Sequence, residues 1–359
     1  RATLTEILDE VSLVVTDFKV MLSRLDDCIE AIRSSHCVDP ERQSEAIEFM
    51  QWLAQDHMSM LGYEYIEVDR SGGEPIAKQD PEASLGMLRK LSTSGVRDLS
   101  VDMDSLSGEE LRKKQLSFSK SRVRSRVHRL TYPDYVEVKV YDDSGSVIGQ
   151  HRFLGMYTSS VYTISPTKIP ILRRKIEQVV ALSKLDETEH EGRELARVLD
   201  LFPRGELFQS SVQELFSTVC SVNQIQERRR TRLYMRKDIH GKFFNCLVYI
   251  PRDAYTTELR VDIQNILSQA VGALESEFTT HFSESILVRC HFVLMLDPTN
   301  PLDYDLDEIE EQIVQATLSW EDRLRIRLVE EFGEEKGEDI TAALGTGFSP
   351  GYRDDFDPR

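Results

Sequence analysis

Between Arg230 and Ser319 the apolar residues change period in a fixed succession, and that succession leaves the chain few folds to choose from. Residues 230–237 read as a strand. Asp238-Ile-His-Gly241 reads as a turn, and 243–250 as a second strand carrying Phe243, Cys246, Val248 and Ile250. Pro251-Arg-Asp253 breaks the pattern. A helix is then predicted from about 256 to 273, because Leu259, Ile263, Ile266, Leu267 and Val271 fall at three- and four-residue spacings. Strands at 276–283 and 286–296 and a helix at about 305–319 complete the run. An order of strand, strand, helix, strand, strand, helix lets both helices cover one face of a four-stranded antiparallel sheet.

Moving the last strand of a ferredoxin-like β-α-β-β-α-β unit to its front gives this same order. The layout resembles that of small ligand-sensing ACT-like domains. The rest of the chain divides around it. Residues 2–34 and about 41–60 read as amphipathic helices, the first through Leu4, Ile7, Leu8, Val11, Leu13, Val14, Phe18, Met21, Leu22, Leu25 and Ile29. Tyr63-Glu-Tyr-Ile-Glu-Val68 alternates like a half-buried strand. Ser71-Gly-Gly73, Asp80-Pro81 and Ser105-Leu-Ser-Gly108 make 70–120 a loop-rich insertion with short helices. Strands are predicted at 122–130, 135–141 and 147–155, with Asp142-Asp-Ser-Gly145 as a hairpin turn and 157–164 as a further strand. A helix follows at about 168–183, and helices at 186–201 and 206–225 flank Phe202-Pro-Arg-Gly205.

The expected fold class is α+β. The expected divisions are a helical segment (1–61), a first ACT-like module with its insertion (62–184), a helical connector (185–227), a second ACT-like module (228–320) and a helical lead into a further domain (321–359). Both modules are expected to be antiparallel sheets with helices on one face. The chain begins at Arg1 on what already reads as helix and ends just after Asp354, Asp355 and Asp357, so both ends read as internal points of a longer polypeptide.

A length of 359 residues suits two or three modules. The net charge of −18 argues against general nucleic-acid binding, which needs a basic face. No apolar run approaches the about 20 residues of a spanning helix, so no membrane partner is expected. Cys28, Cys37, Cys220, Cys246 and Cys290 contain no C-x-x-C pair, and scattered thiols suggest a reducing, cytoplasmic setting.

Motifs of chemistry are sparse. Gly345-Thr-Gly-Phe-Ser-Pro-Gly351 follows a helix where a dinucleotide fingerprint needs a strand, and no P-loop is present. His36, His57, His128, His151, His190, His240, His281 and His291 include no pair at metal-ligand helical spacing, and no metal is expected. Asp56-His57 is read as a helix C-terminus complemented by a cation, because adjacent helical residues do not face each other. The run from Arg112 to Arg129 has eight Lys and Arg and no acid. As a strand it would put Arg122, Arg124 and Arg126 on one face, either as an anion-binding or docking surface or as a solvated edge. In Tyr249-Ile-Pro-Arg-Asp-Ala-Tyr-Thr-Thr257, Arg252 offers a carboxylate partner, with Asp253 and Tyr255 beside it and Thr256 or Thr257 as N-cap. The alternative is that these residues only organise the turn.

Several segments together resemble one family. Phe49-Met-Gln-Trp-Leu-Ala-Gln-Asp-His-Met-Ser-Met-Leu-Gly-Tyr63, Asn245-Cys-Leu-Val-Tyr-Ile-Pro-Arg-Asp-Ala-Tyr-Thr-Thr-Glu-Leu-Arg260, Trp320-Glu-Asp-Arg-Leu-Arg325, Phe332-Gly-Glu-Glu335 and Phe348-Ser-Pro-Gly-Tyr352 are similar to stretches of the large bacterial NAD-specific glutamate dehydrogenases. Ser349 is a departure, standing where the family usually passes directly from Phe to Pro. The resemblance implies an N-terminal region with ACT-like modules, followed in the same chain by a dehydrogenase domain that binds NAD and deaminates L-glutamate to 2-oxoglutarate and ammonia. A homo-oligomer and an amino-acid effector are the further partners expected. The family's catalytic lysine and aspartate and its dinucleotide fingerprint have no counterparts here, so no catalytic or cofactor-binding residues are carried over. The expected role is a regulatory or assembly segment. The alternatives are a free-standing amino-acid or nucleotide sensor and an oligomerisation scaffold.

Overall fold

The computed structural model describes residues 4–36, 38–69, 76–80, 82–93, 114–186, 188–225, 229–297, 302–344, 347–356 and 358. Cys37, Ser71-Gly-Gly73, Ser105–Gly108, Arg112, Lys113, Gly345 and Asp357, all singled out in the sequence, lie outside them. The described chain is a mixture of helices and two antiparallel sheets. It separates into two compact units. The first comprises residues 1–224 with the turn Asp238–Lys242; the second comprises 225–237 and 243–359.

The first unit is built on helix α1 (Leu4–Ser34) and a sheet of β1 (Met58–Asp69), β2 (Ile76–Gln79), β3 (Leu85–Gly86), β4 (Leu116–Lys120), β5 (Asp134–Tyr141) and β6 (Val147–Tyr157), in the order β2-β1-β6-β5-β4 with β3 pairing β1. The buried stripe of α1 is Glu10, Val14, Asp17, Met21, Leu25, Cys28, Ile29 and Ile32, recurring at three- and four-residue steps. Two carboxylates lie in that stripe because both are paired. Glu10 meets Lys90 at 2.9 Å. Asp17 accepts from the Gly86 N–H at 2.8 Å and meets Arg89 at 3.0 Å. Leu4, Leu8 and Val15, apolar by sequence, are exposed.

Gly86 is packed tightly against backbone. Its φ is +59°, and a Cβ added there would sit 2.3 Å from the Leu61 carbonyl oxygen. Gly272, with φ +63°, would meet only the Leu302 side chain, at 2.9 Å. Gly86→Ala is therefore expected to cost more than the about 1–2 kcal/mol of a left-handed alanine, and Gly272→Ala about that amount, by urea unfolding. Equal losses at the two positions would show that the Leu61 contact relaxes freely.

Three elements differ from the sequence reading. Helix α2 (Pro40–Trp52) does not reach residue 60; it runs into a π-turn, Leu53–His57, in which Asp56 adopts φ +61°, and β1 already starts at Met58. Residues 158–164 form helix α4 (Ser159–Thr163), not a strand, after the short α3 (Met87–Thr93). Residues 122–130 are not a strand either. The strand is β4, ending at Lys120. The Ser121 and Ser125 hydroxyls accept from the N–H groups of Val123 and Val127, each curling the chain two residues on, and His128 takes φ +69°. Local serine turns thus defeat the arginine–valine alternation.

Helices α5 (Leu172–Ser183), α6 (His190–Leu201), α7 (Arg204–Gln209) and α8 (Val212–Ile225), the last as far as Gln224, complete the first unit. Buried Arg204 ties α7 to α4, donating to the carbonyls of Val161, Asp200, Phe202 and Ile164.

The second unit carries β7 (Arg232–Lys237), β8 (Phe243–Pro251), α9 (Thr257–Val271), β9 (Ala273–Phe282), β10 (Leu287–Leu296) and α10 (Leu306–Thr317). Its sheet is antiparallel in the order β7-β8-β10-β9. Phe244, Cys246, Val248 and Ile250 of β8 and Val288, Cys290, Phe292 and Leu294 of β10 point to one face. There they pack on Leu259, Ile263 and Leu267 of α9 and Ile309 and Ile313 of α10. The element order and the one-sided helices are those expected from the sequence. Helices α11 (Trp320–Phe332), α12 (Glu334–Leu344) and α13 (Pro350–Asp355) follow.

Candidate functional site

Pro251 ends β8, and the chain turns into α9 through Arg252-Asp-Ala-Tyr255. Thr256 is the N-cap: its hydroxyl accepts from the Leu259 N–H at 3.0 Å. The Arg252 N–H donates to the Ile286 carbonyl at 2.9 Å, and its guanidinium donates to the Ser283 carbonyl at 3.3 Å and lies 6.0 Å from the Phe282 ring centroid. The Asp253 carboxylate takes an exposed ion pair from Arg229 at 3.2 Å. Tyr255 packs edge-on to Phe282 and bonds Thr280 through its hydroxyl at 3.3 Å. Arg252, Asp253, Tyr255 and Thr256 are thus brought together as one loop, with polar groups already engaged in holding the turn against the β9–β10 hairpin.

Arg122, Arg124 and Arg126 lie in the first unit and share no strand face. Arg124 stacks over Tyr132 at 4.8 Å, and Arg126 approaches Glu6 and Glu10, each at 3.7 Å.

The densest chemistry was not apparent in the sequence. On one face of the first sheet, adjacent strands set Glu64, Arg152 and Glu137 side by side, since Arg152 is in register with both carboxylates. Arg152 is 1% exposed. It donates to Glu64 at 2.7 Å and to Glu137 at 3.1 Å, and its guanidinium lies 4.2 Å from the Tyr135 ring centroid. His240, from the turn that belongs to this unit, reaches Glu137 at 3.0 Å, and buried Lys242 lies 5.2 Å from the same Tyr135 ring. Burial alone would push the Glu137 carboxyl up. The His240 imidazole, with Arg152 and Lys242, outweighs that and holds it well below the ordinary carboxylate range. On the opposite face, His151 Nδ1 bonds the Tyr63 hydroxyl at 2.9 Å, and burial pushes the imidazole down to about 4. Both carboxylates of the Arg152 network are engaged, Glu64 by Arg152 and Glu137 by Arg152 and His240.

Among the described residues, no three His, Cys, Asp or Glu side chains gather as metal ligands would. Cys28, Cys220, Cys246 and Cys290 are free thiols, and burial raises the affinity of Cys28, Cys220 and Cys290 for their protons. No described helix is long and apolar enough to cross a membrane.

The motif stretches take on physical roles. Phe49 and Trp52 stack at 5.7 Å, and Trp52 stacks on His57 at 4.1 Å, while His57 Nδ1 meets the Trp52 carbonyl at 2.7 Å at the end of α2. Trp320, Phe348, Tyr352 and Phe356, far apart in sequence, form one aromatic cluster, in which the Trp320 indole N–H donates to the Phe356 carbonyl at 2.6 Å. Ser349, the departure from the family pattern, caps α13 by accepting from the Tyr352 N–H.

Three family models match the chain: the ACT2 domain of glutamate dehydrogenase over residues 232–321, its helical motif 1 over 169–228 and its helical motif 2 over 327–359. The chain is 39% identical to the NAD-specific glutamate dehydrogenase of Halomonas elongata over 362 aligned residues, covering 100% of this chain and 22% of that protein. It is 40% identical to that of Pseudomonas aeruginosa, covering 98% of this chain and 22% of that protein. It is 28% identical to that of Mycobacterium tuberculosis, covering 89% and 20%. Among solved structures, a PelD fragment of Pseudomonas aeruginosa in complex with c-di-GMP aligns over 89% of this chain and 86% of that one, at 14% identity and a TM-score of 0.13, too low to assign either fold or ligand. The chain spans about one fifth of the length of the curated relatives it matches. With the ACT2 match falling on the β-β-α-β-β-α unit and the helical motifs on either side of it, the chain belongs to the NAD-specific glutamate dehydrogenases, as the region that carries their ACT2 domain.

Proposed function

We propose that this region regulates and assembles an NAD-dependent glutamate dehydrogenase and contributes no catalytic group of its own. On this reading the parent enzyme converts L-glutamate, NAD and water to 2-oxoglutarate, ammonia and NADH. It acts in the cytoplasm, as a homo-oligomer, through a dehydrogenase domain later in the same chain that binds NAD. An amino-acid effector acts through the ACT2 module, with Arg252, Asp253, Tyr255 and Thr256 at its strand–helix loop, or through Arg122, Arg124 and Arg126 of the first unit.

The observation that carries the assembly reading is strand β9. It is an outer strand of its sheet and ten residues long, and it exposes Leu274, Phe278 and Phe282. A long apolar edge is a template for pairing with another chain.

The purified chain, given glutamate and NAD, is expected to produce no absorbance of NADH; a steady glutamate-dependent rise would overturn the non-catalytic reading. In sedimentation the chain is expected to form a dimer or larger assembly, and Phe278→Lys with Phe282→Lys to return it to monomer. A wild-type chain that stays monomeric at high concentration would remove the assembly role.

A further inference from the structure

We infer that the first unit holds a binding site for an organic carboxylate with an apolar body. A cavity of about 290 Å³ lies between α2, β4, the start of α5 and the chain leaving α7. Its inner wall is apolar and fixed. Ala46, Phe118 and Phe208 are buried, and the Phe118 and Phe208 rings pack at 5.2 Å. The Lys175 ammonium donates to the carbonyls of Leu207, Phe208 and Ser210, which holds the chain after α7 against α5.

Gln115 also lines the cavity. It is 5% exposed, and both polar atoms of its carboxamide are buried without a hydrogen-bond partner. A buried amide left in this state costs free energy, which a polar group delivered by a ligand would recover.

The charges around the cavity give the sign of that group. Among the described residues Arg42, Lys114, Lys139, Arg174 and Lys175 line it, with Arg174 paired to Glu41 at 2.8 Å, against one lining carboxylate, Glu45. Glu45 is already engaged, accepting from the Ile171 N–H at 2.6 Å and from the Arg173 guanidinium at 2.8 Å. The field in the cavity therefore favours an anion and disfavours an amine. Its shape selects among anions. A phosphate needs converging N–H donors or a forked arginine pair, where the inner wall offers one amide and apolar surface. A carboxylate with a hydrocarbon or aromatic body matches the amide, the field and the wall together.

The assignment goes beyond the regulatory reading and does not rest on it, since it is tested by binding alone. Calorimetric titration of the whole chain with octanoate, octan-1-ol and octylamine separates the contributions of charge and chain. Octanoate is expected to bind saturably, and the alcohol and amine about tenfold or more weakly. Gln115→Leu and, independently, the exposed Arg42→Glu are each expected to weaken octanoate by about fivefold or more while leaving weak octan-1-ol binding unchanged. Arg42→Glu alters a surface side chain, so it keeps the test valid if Gln115→Leu fails to fold. Absence of saturable octanoate binding, equal binding of octanoate and octan-1-ol, or octanoate binding untouched by Arg42→Glu would each overturn the proposal.

Discussion

Arg152→Met is expected to destabilise the first unit by about 3–5 kcal/mol, the cost of breaking a buried ion pair from one side. Arg152 bridges Glu64 at 2.7 Å and Glu137 at 3.1 Å, and all three side chains are at most 3% exposed. Removing the cation leaves two carboxylates facing each other out of water. The loss is read from the midpoint of urea unfolding at neutral pH. Replacing the charges together, as Arg152→Met with Glu64→Gln and Glu137→Gln, is expected to recover part of it, because the penalty lies in the unpaired charges and not in the missing bonds. A single variant within about 1 kcal/mol of the parent would show that water reaches this face. The network also has a pH signature. Glu137 titrates from the ordinary 4.5 when unfolded and well below that when folded. Its contribution is therefore complete above pH 4.5 and declines as the pH falls further.

The second large effect lies on the opposite face of the same sheet and at higher pH. His151 is 8% exposed, and burial holds its folded pKa near 4 against an ordinary value of 6.5. Below pH 6.5 the unfolded chain takes up a proton that the folded chain refuses until about pH 4. The unfolded state thus binds more protons, and stability falls as the pH falls through that window. The total loss is on the order of 3 kcal/mol, since each tenfold change in proton affinity is worth about 1.4 kcal/mol. Urea midpoints measured from pH 7 to pH 4 should show it, and His151→Gln, which does not titrate, should remove the slope between pH 6.5 and 4. A parent chain with flat stability across that range would mean that the folded imidazole takes up its proton at the same pH as the unfolded one, its Nδ1–H then donating to the Tyr63 hydroxyl oxygen.

Different parts of the chain were legible for different reasons. The second unit was readable because its signals are local and agree. The apolar period changes from two to about four at Thr256, the N-cap is a threonine, and Gly272 ends the helix in a left-handed conformation. The basic stretch was misread because serine hydroxyls bonding the backbone two residues on compete with a strand. Arginine–valine alternation carries no information about that competition. In α1 the apolar positions gave part of the stripe, Val14, Met21, Leu25 and Ile29, but not Glu10 and Asp17, which occupy the buried face once Lys90, Arg89 and the Gly86 N–H are in place. The loop at Arg252–Thr256 was found from its turn residues. Its internal bonds, from Arg252 to Ser283 and from Tyr255 to Thr280, depend on a hairpin some 30 residues away.

By itself, the sequence determined the order of strands and helices between 230 and 319 and, through its motif stretches, the kinship with NAD-specific glutamate dehydrogenases. Only the tertiary structure decided that Glu64, Glu137 and Arg152 are interior and that Gln115 lines a cavity. The reason is geometric. A two-residue period states which side chains share a face of a sheet. Whether that face meets water or protein is settled by segments distant in the chain.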